Sequence, residues 1–519
     1  MSHNPSLESR VASLVHAHFE ALPQRSKPTI HGNGMREWIP LSGIVLVTNE
    51  NTPEEALTCI AVATGAKCLS SSQIAQCNGL VLHDSHAEIL ALRALNHWLL
   101  EECKSMLTAL EKPNRKTNNL LNCSGSGFLQ WNLDDSNTQT SIPCPPFRIK
   151  EDIKIWMYCS CAPCGDASME LCMAAQEDAT PWELPVPELR NTGNPDGQQQ
   201  VLLNGRAHFS ILGAVRRKPS RADAESTLSK SCSDKLALKQ VASILSFPTS
   251  LLLAPTPNAY ISNIVLPEEE LSRIACERSF GSGESGRMRP LNGRIWEVGQ
   301  KTPGEYKFRP FKITPLPMKD FENMWKYGKP TCKSSEQKVK TGNVSAVWTA
   351  PPSNSTRPPF TTKGNDIPTF SEPEWYKAYF KTPPTSLNES LINGVKQGYR
   401  LNSPGFKKAS ALSRARMWAL LRDIFKLLND CGFMPQQLND NEASSLSQIV
   451  LSAPSYDFLK SQTVMSQYLE ARAQVLRDVR LVLKNWIRNC GDDAWDLTVL
   501  DTPIKEKPQS RRLQEEARQ

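Results

Sequence analysis

Apolar residues recur at Val11, Leu14, Val15, Phe19 and Leu22. This three-and-four spacing predicts an amphipathic helix over Ser9 to Leu22, packed on the body of the protein. Elsewhere the pattern changes. EWIPLSGIVLVTN (Glu37 to Asn49) and IKIWMYCS (Ile153 to Ser160) read as strands, whereas HAEILALRALNHWLL (His86 to Leu100) reads as a long helix. Another helical stretch lies near ASMELCMAAQ, and Ala411 to Leu428 and Met465 to Ile487 read as C-terminal helices. The order strand, helix, strand, helix predicts a three-layer α/β domain with its sites at strand-to-helix junctions.

Three stretches break the periodicity: residues 114–140, rich in Asn, Ser and Thr; residues 178–199, rich in Pro, Glu and Gly; and residues 328–373, rich in Lys, Ser, Thr and Pro. They predict surface insertions in a single domain spanning residues 1–500, followed by a charged, disordered tail over 501–519. With 519 residues the chain is long enough for a large core. No apolar run approaches the roughly 18 residues of a membrane span, and MSHNPSLESR lacks a signal peptide's apolar centre. The expectation is an intracellular protein of cytoplasm or nucleus. Its fifteen cysteines follow no framework spacing, so most should be buried free thiols. A net charge of +7 permits a polyanionic partner without demanding one.

Chemistry begins at HDSHAEIL (residues 83–90). Ser85 followed by Glu88 fits a capping box, which satisfies free N–H groups at a helix start. The triplet His86-Ala-Glu88 also fits the H-x-E of a zinc deaminase, in which the histidine binds metal and the glutamate moves protons. Neither reading wins on this segment alone. A second stretch, CSCAPCGDAS (Cys159 to Ser168), places Cys164 before a helix, where the dipole favours a thiolate. Cys161 and Cys164 form C-x-x-C, so both are possible ligands. The P-C-x-x-C form is not completed, because Ala167 stands three residues after Cys164. In the third stretch, LSKSCSDKLALKQ, Cys232 sits at another predicted helix start.

Taken in order, HAE, APCGDA and SCSDKLA resemble the deaminase domain shared by adenosine deaminases acting on RNA and the tRNA-specific adenosine deaminases. Longer blocks, SRVASLVHAHFEALPQRSKP, VRRKPSRADAESTLSKSCSDK and INGVKQGYRLNSPGFKKASALSRARMW, resemble the tRNA branch. The resemblance implies a cytidine-deaminase-like α/β/α core with inserted loops and a C-terminal helical portion. It implies Zn2+ on His86, Cys164 and Cys232, with Cys161 outside the shell and Glu88 as the proton shuttle. Three protein ligands leave the fourth tetrahedral position to water, as in a catalytic zinc site. The implied reaction converts adenosine to inosine at position 37, beside the anticodon of an alanine tRNA.

The same resemblance implies a buried 1D-myo-inositol hexakisphosphate. Lys67, Asp84, Arg93, Lys235 and Lys239 are its candidate neighbours in the first half. Tyr456, Lys460, Tyr468, Arg472 and Trp486 are those in the second. The chain departs from the animal RNA editors at Leu92 and Leu238, where they carry arginine. For contact with RNA, the basic run Arg216, Arg217, Lys218 and Arg221 is the candidate loop. Rival readings are an editor of other structured RNA and a non-catalytic, zinc-containing RNA-binding protein.

Overall fold

The computed structural model describes residues 5–501 except 31–35, 111–124, 133–144, 175–202, 206–210, 219–224, 299–303, 330–338, 364–383, 400–404, 406, 433–445, 463–466 and 485. In chain order its principal elements begin with helix α1 (Leu7–Glu20), strands β1 (Leu41–Thr48), β2 (Ala56–Thr64), β3 (Ala66–Cys68) and β4 (Asp84–His86), and helix α2 (Ala87–Leu110). Strand β5 (Ile153–Cys159), helix α3 (Cys232–Ala242), strand β6 (Ile261–Pro267), helix α4 (Arg273–Phe280) and strands β7 (Lys312–Leu316), β8 (Ser345–Thr349), β9 (Leu387–Ile392) and β10 (Val395–Lys396) follow. Helices α5 (Arg414–Asp430), α6 (Tyr456–Gln462) and α7 (Gln467–Val482) complete the set.

A nine-stranded sheet runs in the order β7-β6-β5-β1-β2-β8-β9-β10, with Thr361–Lys363 also paired to β2. Strands β7, β6 and β5 are mutually parallel, and antiparallel pairing begins at β5 and β1. All nine residues of β2 and the first seven of β1 are buried. Such near-continuous apolar runs suit strands covered on both faces. Helix α1 supplies part of that cover. Val15 seats directly on Gly43, where an added Cβ would fall 2.5 Å from Val15 Cγ1. The result is a mixed α/β sheet with helical layers and C-terminal helices.

Several predicted elements move. Glu37 to Asn49 divides at Pro40, which has no N–H for the ladder; Arg36–Trp38 instead pairs with Val339–Thr341 in a separate ribbon. Strand β2 carries no clear alternation because both faces are buried, and sequence reading passed over it. Helix α2 runs ten residues beyond Leu100. Within 328–373, read as a surface insertion, Ser345–Thr349 is a fully buried strand between β2 and β9. Within 114–140, Leu129–Trp131 pairs with Phe147–Ile149 and buries Leu129 and Trp131. The 178–199 stretch and residues 502–519 lie outside the described residues. Among the described residues no helix is long and apolar enough to cross a membrane.

Candidate active site

Three segments converge where the sheet meets α2 and α3. Strand β4 pairs with β3 and ends at His86, with α2 beginning at the next residue. Strand β5 ends at Cys159 and is tied to β1 by Ser42 Oγ donating to Tyr158 O at 2.8 Å. The chain then turns through Cys164 to Gly165, whose φ of +105° is open to glycine and costly for other residues. Ser231 caps α3 by accepting from Asp234 N at 3.1 Å, which leaves Cys232 as the first helical residue.

These junctions bring the donor atoms of His86, Cys164 and Cys232 within 4.8 Å of one another. His86 Nδ1 is 3.7 Å from Cys164 Sγ and 3.6 Å from Cys232 Sγ. Glu88 is 3% exposed, and its Oε2 lies 3.3 Å from Cys232 Sγ. Ser85 belongs to β4, so the expected capping box is replaced by a carboxylate turned toward the cysteines. The adjacent Cys232, with Lys218 and His86, holds the Cys164 thiol well below its ordinary range. Burial and the charge of Cys164 push Cys232 the other way. At His86 burial opposes the charged form, but the neighbouring Cys164 and Cys68 raise the imidazole to about 10. Burial dominates at Glu88 and raises its carboxyl, the direction an acid-base group near neutral pH requires.

A second ring supports the first. Lys218 is 4% exposed; its Nζ reaches Asp84 Oδ2 at 2.9 Å and Cys232 Sγ at 3.3 Å. Asp84 also pairs with Lys235, accepts from Ser229 Oγ at 2.6 Å and from His86 N at 3.0 Å. Its burial favours the neutral acid, yet Lys218 and Lys235 override this and hold it well below the carboxylate range. Two other donor triplets, Cys68–Asp84–His86 and Cys77–His83–Asp492, are geometrically close. Lysines occupy Asp84 in one, and Arg414 occupies Asp492 in the other. A cation is already present in each.

Comparison with known proteins decides the family. Residues 61–367 match the adenosine-deaminase (editase) domain. The chain belongs to this editase family. It is an adenosine deaminase. The editase is 35% identical to tRNA-specific adenosine deaminase 1 of Schizosaccharomyces pombe over 67% of this chain and 76% of the relative. With the Saccharomyces cerevisiae protein of the same name it shares 31% identity over 54% of this chain and 64% of that one. The double-stranded RNA-specific editase B2 of Mus musculus is 26% identical over 51% of this chain and 33% of its own length.

The editase gathers a second group of cations beneath the C-terminal helices. Among the described residues Lys239 Nζ donates to main-chain oxygens, Ile244 O at 3.0 Å and Leu245 O at 3.2 Å, and burial beside Arg472 lowers it to about 7. Arg93 Nε donates to Leu412 O at 3.0 Å; burial and Arg414 lower it to about 10. Nε of Arg472 and Nε of Arg480 are buried without a hydrogen-bond partner among the described residues. Tyr456 faces Lys460 at 5.5 Å and Arg414 at 5.7 Å. Arg414 pairs with Asp492 and Asp493 and Lys460 with Asp493, whereas carbonyls answer Lys239 and Arg93. Arg414, Arg480 and Lys230, the last with Nζ 5.8 Å from the Trp486 ring, were missed by sequence reading. Arg480 stands eight residues after Arg472 on α7, Arg414 opens α5 in the run RARMW, and Lys230 lies two residues before Cys232.

Other candidates stand elsewhere. Cys161 is outside the donor cluster, and burial with Glu270 and Glu88 keeps it a thiol. Lys67 pairs with Ser85 across the ribbon, on the face opposite Cys68, whose Sγ lies 3.3 Å from Asp84. Asp84 and Lys235 neutralise each other between the two groups. Tyr468 lies on α7, but its side chain is outside the described residues, as is Arg221.

The RNA loop needs correction. Arg216 is 1% exposed, with its guanidinium on Gly205 O and Ile211 O, and Lys218 is consumed by Asp84. Side chains so enclosed cannot reach a phosphate backbone. Arg217 is half-buried and donates to Asn204 Oδ1 at 3.0 Å, so it alone of the described members retains a solvent-facing part. The error came from reading a charge run as a solvated face, where burial chose every second residue.

Proposed function

We propose that the editase is a zinc-dependent enzyme that hydrolyses adenosine to inosine in tRNA, with position 37 beside the anticodon of an alanine tRNA as its target. The carrying observation is the buried Glu88 carboxylate against a His86–Cys164–Cys232 donor set. Two thiols and one imidazole suit Zn2+, and a three-ligand set leaves a position open. Zinc bound there supplies the Lewis acid that makes water a nucleophile near neutral pH. Glu88 accepts a proton from the attacking water, delivers it to N1 of adenine and assists the departure of ammonia. Lys218 holds Cys232 and Asp84 in register throughout. A purely structural site has no use for the shuttle.

The tRNA assignment draws on relatives named as tRNA-specific and on the burial of Glu88, which a base can meet only when it leaves its stack. Anticodon loops present such bases. We also assign inositol hexakisphosphate to the group Arg93, Lys239, Arg414, Lys460 and Arg472, whose fit rests on Lys239 and Arg472, which among the described residues meet main-chain carbonyls and no carboxylate. The test uses purified protein, its zinc content and inosine mapping on a panel of tRNA transcripts beside a long RNA duplex. Inosine confined to position 37 of alanine tRNA supports the reading. Inosine in the duplex alone, or none with zinc present, overturns it.

A further inference from the structure

The chain's C-terminal segment crosses back over the turn that leads into His86, and Asp492 is its point of contact. This carboxylate is 2% exposed. Its Oδ1 accepts from Gly79 N at 2.8 Å, while Oδ2 accepts from His83 Nε2 at 2.9 Å and from Arg414. Trp495 stacks on Tyr456 with centroids 4.6 Å apart and planes at 12°. The same ring lies over Gly79, where an added Cβ would fall 2.2 Å from Trp495 Cζ2. Main-chain bonds from Tyr456 N to Trp495 O at 2.8 Å and from Ala415 N to Gly79 O at 3.1 Å lock the same pieces together.

Leu80 N on Cys77 O and Leu82 N on Gly394 O, both at 2.9 Å, and the burial of Leu80, Val81 and Leu82 also hold the turn, but none of these bonds engages the His83 ring. Asn78 and Gly79 both take positive φ, at 48° and 69°. Strand β4 has only three residues, and its partner β3 has three. A ribbon that short is marginal alone. His83 is gripped at both ends: its carbonyl accepts from Leu69 N at 3.0 Å, and its ring meets Asp492. Asp84 follows directly, and His86 and Glu88 come within five residues. Arg414, on the same carboxylate, also faces Tyr456 and so joins this tie to the cation group.

We propose that His83 is a positioning residue for deamination: through Asp492 it fixes the turn that carries His86 and Glu88. It touches neither metal donors nor substrate and acts through the backbone. The inference rests on the role given above to Glu88. A misplacement of about 1 Å is enough to cost on the order of 100-fold in rate, and this tie removes that freedom.

His83→Ala and His83→Gln test the proposal, because the glutamine amide can donate to Asp492 as Nε2 does. Steady-state inosine formation on tRNA is measured with zinc content, melting temperature and hydrogen exchange of peptides spanning 79–88 and 95–107. The alanine variant is expected to keep zinc and tRNA KM within about threefold, lose roughly 10- to 100-fold in kcat, and exchange faster at 79–88 but not at 95–107. Glutamine should restore most of both. Unchanged exchange at 79–88, an unchanged kcat, a loss of zinc or of global stability in step with activity, or a glutamine variant no better than alanine overturns it. If wild type makes no inosine, the function proposed above fails, and the exchange comparison alone decides whether His83 holds the turn.

Discussion

Lys218 Nζ lies 2.9 Å from Asp84 Oδ2, and neither side chain is more than 6% exposed. Together they form a buried ion pair that also touches the metal-donor set through Cys232. Removing one partner of such a pair leaves an uncompensated charge, which costs about 3–5 kcal/mol, and outer-shell partners typically shift metal affinity about 10- to 100-fold. Lys218→Met is therefore expected to lower the urea midpoint and weaken zinc in chelator competition. Lys235 remains on Asp84 and should cushion the stability loss. Wild-type behaviour in both assays would remove Lys218 from the support of the site.

Gly165 sets the distance between the two cysteines. An added Cβ would lie 2.2 Å from Ser231 Oγ, at a backbone φ of +105°. Gly165→Ala must push the α3 cap away from the Cys164 turn. Zinc affinity is expected to fall more than global stability, because the displacement is local to the donor set. A variant with full zinc content and full activity would show that the contact is loose.

Buried histidines set the acid side of the stability profile. Burial lowers His16 to about 3 and His18 and His97 to about 4, against roughly 6.5 in an unfolded chain. Between those values the unfolded state binds more protons, so stability rises with pH through the window and is lost on acidification below about 6.5. His16→Gln can keep a bond to Tyr158 OH, now 2.8 Å from His16 Nε2, without adding a proton. The fall in urea midpoint from pH 7.5 to 5.5 should shrink in this variant. An equal fall would assign the acid sensitivity elsewhere.

Lys239, lowered to about 7 by burial beside Arg472, is largely neutral at pH 8. Phosphate groups near it favour the charged form, so inositol hexakisphosphate binding should take up a proton there. The bound state then holds more protons than the free state, and affinity falls as pH rises above about 7. Calorimetry at pH 8 in buffers of different ionisation enthalpy reads this uptake directly. Lys239→Met should reduce it; an identical uptake in wild type and variant would place the titrating group elsewhere.

The convergence of His86, Cys164 and Cys232 was legible because each residue sits in a short local motif: H-A-E, P-C-G-D and S-C-S-D each begin a helix or turn, and local sequence specifies such starts. Strand β8 was not legible, because Ser345–Thr349 is five residues embedded in polar, proline-rich sequence and becomes a strand only by pairing with β2 and β9. Cation roles were half-legible. Arg93 and Arg472 were named and both donate to main-chain carbonyls, but Lys218 looked like an RNA contact until the fold placed Asp84 beneath it. Charge is written in the sequence; what answers it is tertiary.

The central claim is that Glu88 moves protons at a metal held by His86, Cys164 and Cys232. Glu88→Gln preserves shape and hydrogen bonding while removing the titratable carboxylate, so one paired measurement decides it: zinc per protein and inosine formed per hour on alanine tRNA, wild type against variant. The predicted result is equal zinc with inosine reduced by at least about 100-fold, the scale of a lost general acid-base group. Wild-type inosine from the zinc-loaded variant would contradict the account.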